Sequence, residues 1–418
     1  MNMHSKRIHA KWLLTAILVF AGIPLFPSAE EQAAQVVPQA HKQLYSDLST
    51  RIKAFADNVS QLKYDDKFTP VFGAEMLGAN AHRGEELLTP QCYAGNLYIL
   101  TRLQALGVKG VTIQIAYPIL SDFTPRSSEY LDFYVRLATE IHKRGMKLHV
   151  KSGMIFPQAE FSSMHMDYSK ITTEAVFAEC RKYAKVIIER MTPEYYTIIN
   201  EPTTAAAILG RPVTVEECTQ HIKLTIESVS SPKTLMGAGS GTWEKEAYMR
   251  AFAEIPGLDF LDMHIYPVAT PMSDCLAQAA RFADMAISYK KKAVIGECWL
   301  YKADIADLTG GPIQPALFAR DVFSFWSPLD SAFLASVATM ARAKRIEYIS
   351  PFWSKYLFAY VDYTEELAAK KPGELLRLGD QAAAKNILAG TYSPTGEGYR
   401  RLIADMQPPT SKGTPARE

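Results

Sequence analysis

The sequence predicts an α/β chain closed into a single (β/α)8 barrel with an N-terminal helical extension. Eight short apolar runs alternate with longer amphipathic ones. The turn after the first run, Gly73-Ala74-Glu75-Met76, lacks the glycine-rich phosphate signature of the alternative, a nucleotide-binding doubly wound sheet. Residues able to do chemistry gather at the C-terminal ends of the runs, where such a barrel carries its active site.

The expected strands are Pro70–Glu75, Gly110–Ala116, Lys147–Lys151, Tyr195–Ile199, Thr234–Ala238, Phe260–His264, Ala293–Gly296 and Tyr348–Phe352. Several are unbroken β-branched and aromatic runs, as strands buried on both faces should be. Helical spacing marks Ser128–Arg144, through Tyr130, Phe133, Leu137 and Ile141. It also marks Thr173–Arg190, Val215–Val229, Ala247–Glu254 and Asp274–Tyr289. Before the barrel, Leu44, Leu48, Ile52, Phe55 and Val59 trace a helix that plugs the barrel bottom or packs on its side.

The ends read differently. Lys6, Arg7 and Lys11 precede an apolar run, Trp12 to Phe26, and the small residues Pro27-Ser28-Ala29. That order is a secretory signal with cleavage after Ala29. The other reading is an uncleaved anchor, but the run is short of the ~20 residues a bilayer span needs. No cysteine follows the run, which argues against a lipoprotein anchor. The expected organisation is signal 1–29, leader and N-terminal helix 30–67 (its first part, 30–42, flexible), catalytic barrel 68–405 and flexible tail 406–418. The expected location is secreted or periplasmic, with no membrane association after cleavage.

With 418 residues, 48% of them hydrophobic, the chain can build a large core unaided. A formal net charge of +1 and the absence of a basic stripe exclude an ordinary nucleic-acid binder. Five cysteines, an odd number, leave at least one unpaired or paired between chains. Cys180, in a helical pattern, reads as a buried thiol. No Cys-x-x-Cys spacing suggests zinc, so no metal or other cofactor is expected.

The fourth strand ends in Asn200-Glu201-Pro202, the sixth in His264-Ile265-Tyr266, the seventh in Glu297-Cys298-Trp299 and the eighth in Phe352-Trp353. Two carboxylates at one barrel mouth suit glycosidic cleavage, where one protonates the leaving oxygen and the other attacks the anomeric carbon or activates water. These motifs, each at its own strand end, resemble clan A of the glycoside hydrolases, the cellulase, mannanase and galactanase superfamily, over residues 68–405. The resemblance implies a retaining mechanism acting on β-linked carbohydrate, with Glu201 as acid/base and Glu297 as nucleophile. It implies that Tyr266 hydrogen-bonds the nucleophile and that His264 meets substrate or the acid/base. Asn200 would contact the sugar 2-hydroxyl, and Trp353 would form a sugar platform. The chain departs from the clan at strand two, which ends Ile115-Ala116-Tyr117-Pro118 where many members carry an Arg. Strand three ends His149-Val150-Lys151-Ser152, without familiar sugar contacts.

Chemistry requires Glu297 to be ionised, which hydrogen bonds from Tyr266 would favour, and Glu201 to hold a proton, which the Glu297 charge and partial burial would favour. Further candidates are read from position alone. His149 and Lys151 serve equally as substrate contacts or structural residues. Trp243, after strand five, and Trp299 are sugar platforms or packing aromatics. Glu75, Asn80, His82 and Arg83 are sugar contacts or solvated loop residues. Two rival functions remain. One is a non-catalytic carbohydrate-binding barrel. The other is a metal-dependent hydrolase using His149, His264 and Glu297, against which stands the lack of a His-x-His pair at strand one.

Overall fold

A computed structural model of the chain describes residues 35–407, apart from 66, 159–160, 230–232, 268–271, 305 and 311–313. The expected signal, 1–29, and residues 408–418 of the tail lie outside the described residues.

All eight expected strands form: β1 Val71–Phe72, β2 Gly110–Tyr117, β3 Lys147–Met154, β4 Tyr195–Thr197, β5 Leu235–Gly241, β6 Phe260–Ile265, β7 Lys292–Cys298 and β8 Tyr348–Pro351. They are parallel and each pairs with its sequence neighbours, while β1 pairs with β8. The barrel closes where Thr112 N–H donates to the Ala74 carbonyl at 3.0 Å and Met76 N–H donates to the Thr112 carbonyl at 2.8 Å.

Side chains fill the barrel in layers that turn polar toward the mouth. At the bottom, Tyr195, Phe260, Val294 and Tyr348 form one apolar cluster. Gly110 opens β2 for it, since a Cβ there would stand 2.5 Å from the Tyr348 ring. Above them the His149 ring meets the Tyr195, Phe260 and Tyr348 rings edge-on. His149 Nε2 bonds Thr197 Oγ1 at 2.8 Å, and Thr197 donates to Asp262 Oδ2 at 2.8 Å. Highest of all lie Glu75, Lys151, His264 and Glu297.

One irregularity sets that top layer. β7 runs in step with β6 from Phe260↔Lys292 to Met263↔Ile295, then slips so that His264 faces Glu297. Gly296 is the extra residue. Strand side chains alternate between faces, so without the bulge Glu297 would share the outward face of Ile295. Gly296 N–H donates to Asp262 Oδ1 at 2.7 Å, and a Cβ at this position would lie 2.5 Å from that oxygen.

The expected helices form as Ser127–Lys143, Thr173–Met191, Val215–Ser228, Glu246–Ala253 and Met272–Ser288. Thr172 and Thr214 cap two of them, the second in a reciprocal capping box with Glu217. The N-terminal helix is Lys42–Ser60, and Leu48, Ile52, Phe55 and Val59 are its buried stripe. It packs on the barrel's side against Met272–Ser288 and Ser327–Ala343. Packed chain extends beyond the expected limits at both ends. Gln35, expected in the flexible leader, bonds the Tyr363 backbone through both side-chain ends at 2.7 Å. Met406, expected in the tail, is buried, and its carbonyl accepts from Thr69 Oγ1 at 2.6 Å. All five cysteines are buried, and no disulfide joins them. Among the described residues no helix is long and apolar enough to cross a membrane.

Candidate active site

Glu201 follows β4 and occupies the N-cap position of helix Pro202–Leu209, yet its carboxylate does not cap that helix. Glu244, from the loop after β5, does so instead. Its Oε1 accepts from Thr203 N–H at 2.5 Å and its Oε2 from Gly241 N–H at 2.7 Å. A helix N-terminus favours a carboxylate, and here a neighbouring strand supplies it, which leaves Glu201 free to turn inward. Burial pushes Glu244 up to about 7, the Thr203 bonds pull against that, and the Glu201 charge adds to it.

Glu201 Oε1 meets His264 Nδ1 at 2.6 Å. The bulge carries Glu297 to the same ring, with its Oε2 3.6 Å from Nδ1. Ligand-type atoms of Glu201, His264 and Glu297 all lie within 4.8 Å of one another, so the two carboxylates face each other across one small space. Tyr266 Oη donates to Glu297 Oε2 at 2.7 Å. Lys151 Nζ donates to Glu297 Oε1 and stands 3.0 Å from Glu75 Oε2.

These contacts set the charges. Burial opposes ionisation of Glu297, but the His264 and Lys151 charges and hydrogen bonds from Lys151 and Tyr266 outweigh it, so its carboxyl sits below the usual range. Burial likewise works against the His264 cation. The Glu297, Asp262 and Glu201 carboxylates overcome it and lift the imidazole to about 10. Lys151, fully buried, is held charged by Glu297 and then Glu75.

The mouth opens into a cleft of about 1200 Å³ whose walls include Trp243, Tyr266, Trp353, Phe156 and Phe318. Asn200 lines a smaller recess of about 100 Å³ that both glutamates also border. Thus Glu201, Glu297, Asn200, His264, Tyr266, Trp243 and Trp353 converge. Two expected contacts do not. His149 is fully buried beneath the site and bonded to Thr197, so it supports the floor and faces no cleft. Trp299 is buried beside the cleft wall, stacked on Tyr356 at 5.9 Å with Lys302 Nζ 5.1 Å over its ring. With His149 turned to Thr197, the triad His149, His264 and Glu297 does not converge on one ion. From the first loop, Asn80, His82 and Arg83 reach the cleft. His82 stays neutral there, because burial lowers it to about 4. It accepts from Phe156 N–H at 3.0 Å and so seats the loop after β3.

Glu244 and Gln114 belong to the site but carried no spacing signal. Lys151, read from position as a substrate contact or a structural residue, pairs with Glu75 and Glu297.

No protein-family model matches the chain, and a search of curated proteins finds no relative. Solved structures do resemble it. One is the exo-β-1,4-mannosidase Op5Man5 from Opitutaceae bacterium strain TAV5, at 14% identity and a TM-score of 0.50. That match covers 81% of this chain and 59% of the mannosidase, so the chain spans less than two thirds of that protein. Another is GH5_18 from Bifidobacterium longum subsp. longum ATCC 55813, at 13% identity and a TM-score of 0.53, covering 80% of this chain and 79% of that one. A third is a GH5_18 from Bifidobacterium longum subsp. infantis, at 11% identity and a TM-score of 0.52, covering 81% and 79%. At such identities the likeness is one of fold, the (β/α)8 barrel.

Proposed function

We propose that this protein is an exported retaining β-glycoside hydrolase, with Glu201 as general acid/base, Glu297 as nucleophile and residues 68–405 as the catalytic unit. The observation that carries the reading is that one oxygen of each carboxylate lies within 4.8 Å of an oxygen of the other. Retaining enzymes hold their carboxyl groups ~5–5.5 Å apart, and inverting ones need roughly 6.5–9.5 Å to admit a water. Glu297 is ionised and ready to attack, supported by the flanking cations. Glu201 donates its proton to the departing oxygen as the bond from that oxygen to the anomeric carbon breaks and Glu297 forms an ester. Its ionised carboxylate then takes a proton from water, which attacks the same carbon and releases the sugar with its configuration kept. His264, cationic beside both glutamates, stabilises whichever of them carries charge.

Trp243 and Trp353 offer flat apolar faces to sugar rings, and Asn200 stands where a sugar hydroxyl can meet it. The neighbours' names make β-mannosides the first substrates to try, since one is an exo-β-1,4-mannosidase and another was solved with Manβ1-4GlcNAc. Charge balance weighs against the metal reading, because Lys151 and protonated His264 already supply the positive charge that a metal would bring to Glu297. Activity should therefore survive a chelator. Export rests on the signal pattern in residues 1–29.

The test is a screen of 4-nitrophenyl β-glycosides and β-linked oligosaccharides, with the anomer of the first product followed by NMR. Retained configuration, lost in Glu297→Gln, is the expected outcome. An initially inverted product would refute retention, and binding without any turnover would favour the non-catalytic barrel.

A further inference from the structure

Three carboxylates and two cations meet in the top layer of the barrel, and the double displacement described above uses only two of the carboxylates. The third, Glu75, is fully buried at the end of β1. Its backbone is fixed on both sides. Its N–H donates to the Pro351 carbonyl of β8 at 3.0 Å, its own carbonyl accepts from Ser354 Oγ at 2.5 Å, and it bridges to Thr112 of β2. Its side chain faces Lys151 of β3, Glu297 of β7, His264 and Tyr266 of β6, and Tyr348 of β8. Among the described residues, Lys151 Nζ, 3.0 Å from Oε2, is its ion-pair contact, and no hydrogen bond reaches Oε1. Such a carboxylate is costly to bury, and solvation does not explain its place.

Lys151 therefore lies between two carboxylates and brings them one positive charge to share. While Glu297 is ionised, a second negative charge at Glu75 is unfavourable. Burial first, and the Glu297 charge against the pull of Lys151, raise Glu75 to about 7. When Glu297 becomes an ester its charge disappears, and Lys151 would be left as a buried cation beside a neutral group. Glu75 is the carboxylate already in place to receive it.

We propose that Glu75 and Lys151 are positioning residues for the nucleophilic step, Lys151 being the counter-ion of Glu297 in the free protein and of Glu75 once Glu297 is esterified. The transfer needs no movement of chain, only a change of partner over contacts already made. The proton balance is simple: Glu201's proton leaves with the aglycone oxygen, and any proton on Glu75 passes to water as Glu75 ionises. The cation beside Glu297 thus comes from β3, and its reserve partner from the segment that follows β1.

The inference rests on Glu297 being the nucleophile, but its test does not require turnover. Full-length protein labelled with carboxyl-13C glutamate is titrated by NMR, with the Glu75 and Glu297 signals assigned by their loss in Glu75→Gln and Glu297→Gln. Glu75 should titrate near neutrality in the wild type. Its titration should fall by one pH unit or more in Glu297→Gln, which mimics the uncharged ester. The Glu297 titration should rise by a similar amount in Lys151→Met and return toward wild type in Lys151→Arg. Where a glycoside is turned over, Glu75→Gln should lower kcat at least tenfold with KM little changed. A Glu75 that titrates in the ordinary range near 4 in both wild type and Glu297→Gln would overturn the proposal. A protein that hydrolyses no glycoside but shows these shifts would sink the proposed function and leave the charge coupling standing.

Discussion

His264 is the residue on which both glutamates lean. Its imidazole lies between Glu201 at 2.6 Å and Asp262 at 3.8 Å, and its proton is held to about 10. The imidazole signals of His264 should thus show no titration between pH 5 and 9, whereas an exposed histidine titrates near ~6.5. The linked stability has a definite sign. The folded protein binds this proton more tightly than the unfolded chain, so the contribution is complete below about pH 6.5 and is lost as pH rises toward about 10. Thermal melts of wild type and His264→Gln, compared across that window, should converge at the alkaline end. Glu244 makes a second residue-scale case. Glu244→Gln replaces one acceptor of two backbone N–H groups by an amide N–H₂, leaving a buried donor facing a donor. The expected cost is about 1–3 kcal/mol of stability, measured by denaturant unfolding, together with a loss of kcat from misplacement of Glu201. The meeting of Glu201, Glu297, Tyr266 and Trp353 at one barrel mouth could be read because each stands in a motif at a strand end. Glu244 could not, since its function is to cap a helix that begins 42 positions earlier (244 − 202), and no local pattern records that meeting.

At the scale of elements, the strands were legible because burial on both faces makes them continuous apolar runs. Helix Pro90–Ala105 has no counterpart among the expected helices. Pro90–Ala105 buries Cys92, Asn96, Leu100 and Leu103, a stripe interrupted by an amide whose partners are backbone carbonyls, so its hydrophobic period is weak. The β7 bulge left no periodic signal either, being a single glycine. Its consequence is large. Gly296→Ala would press a methyl against the Asp262 carboxylate and resist the slip that faces Glu297 to His264. This variant should lose most turnover on any glycoside the wild type accepts. Its secondary structure by circular dichroism should stay close to wild type. Normal turnover would show that the bulge tolerates the extra group.

For the molecule as a whole, the side-on N-terminal helix matters because it covers helices that wrap β6 to β8, the strands bearing His264, Glu297 and Trp353. Ile52, 3% exposed, belongs to the buried stripe of that helix. Ile52→Ala should cost about 2–5 kcal/mol in denaturant unfolding while leaving KM unchanged, since no residue of the helix lines the cleft. The expectation that this helix plugs or flanks the barrel could not be narrowed from sequence, because both positions demand the same buried stripe.

The five buried cysteines, unjoined by disulfides, give the protein a built-in clock. Burial pushes Cys180 up to about 12 and also raises Cys92, Cys218 and Cys298, so these sulfurs resist alkylation for two reasons at once. Each modification event then reports a moment at which some part of the barrel has opened. Cys180 alone among them borders the recess beside Asn200, whereas Cys298 sits behind Glu297 in β7. The order in which the thiols are labelled would read out which portion of the wall breathes first, and a sugar lodged in the recess would delay Cys180 ahead of the others.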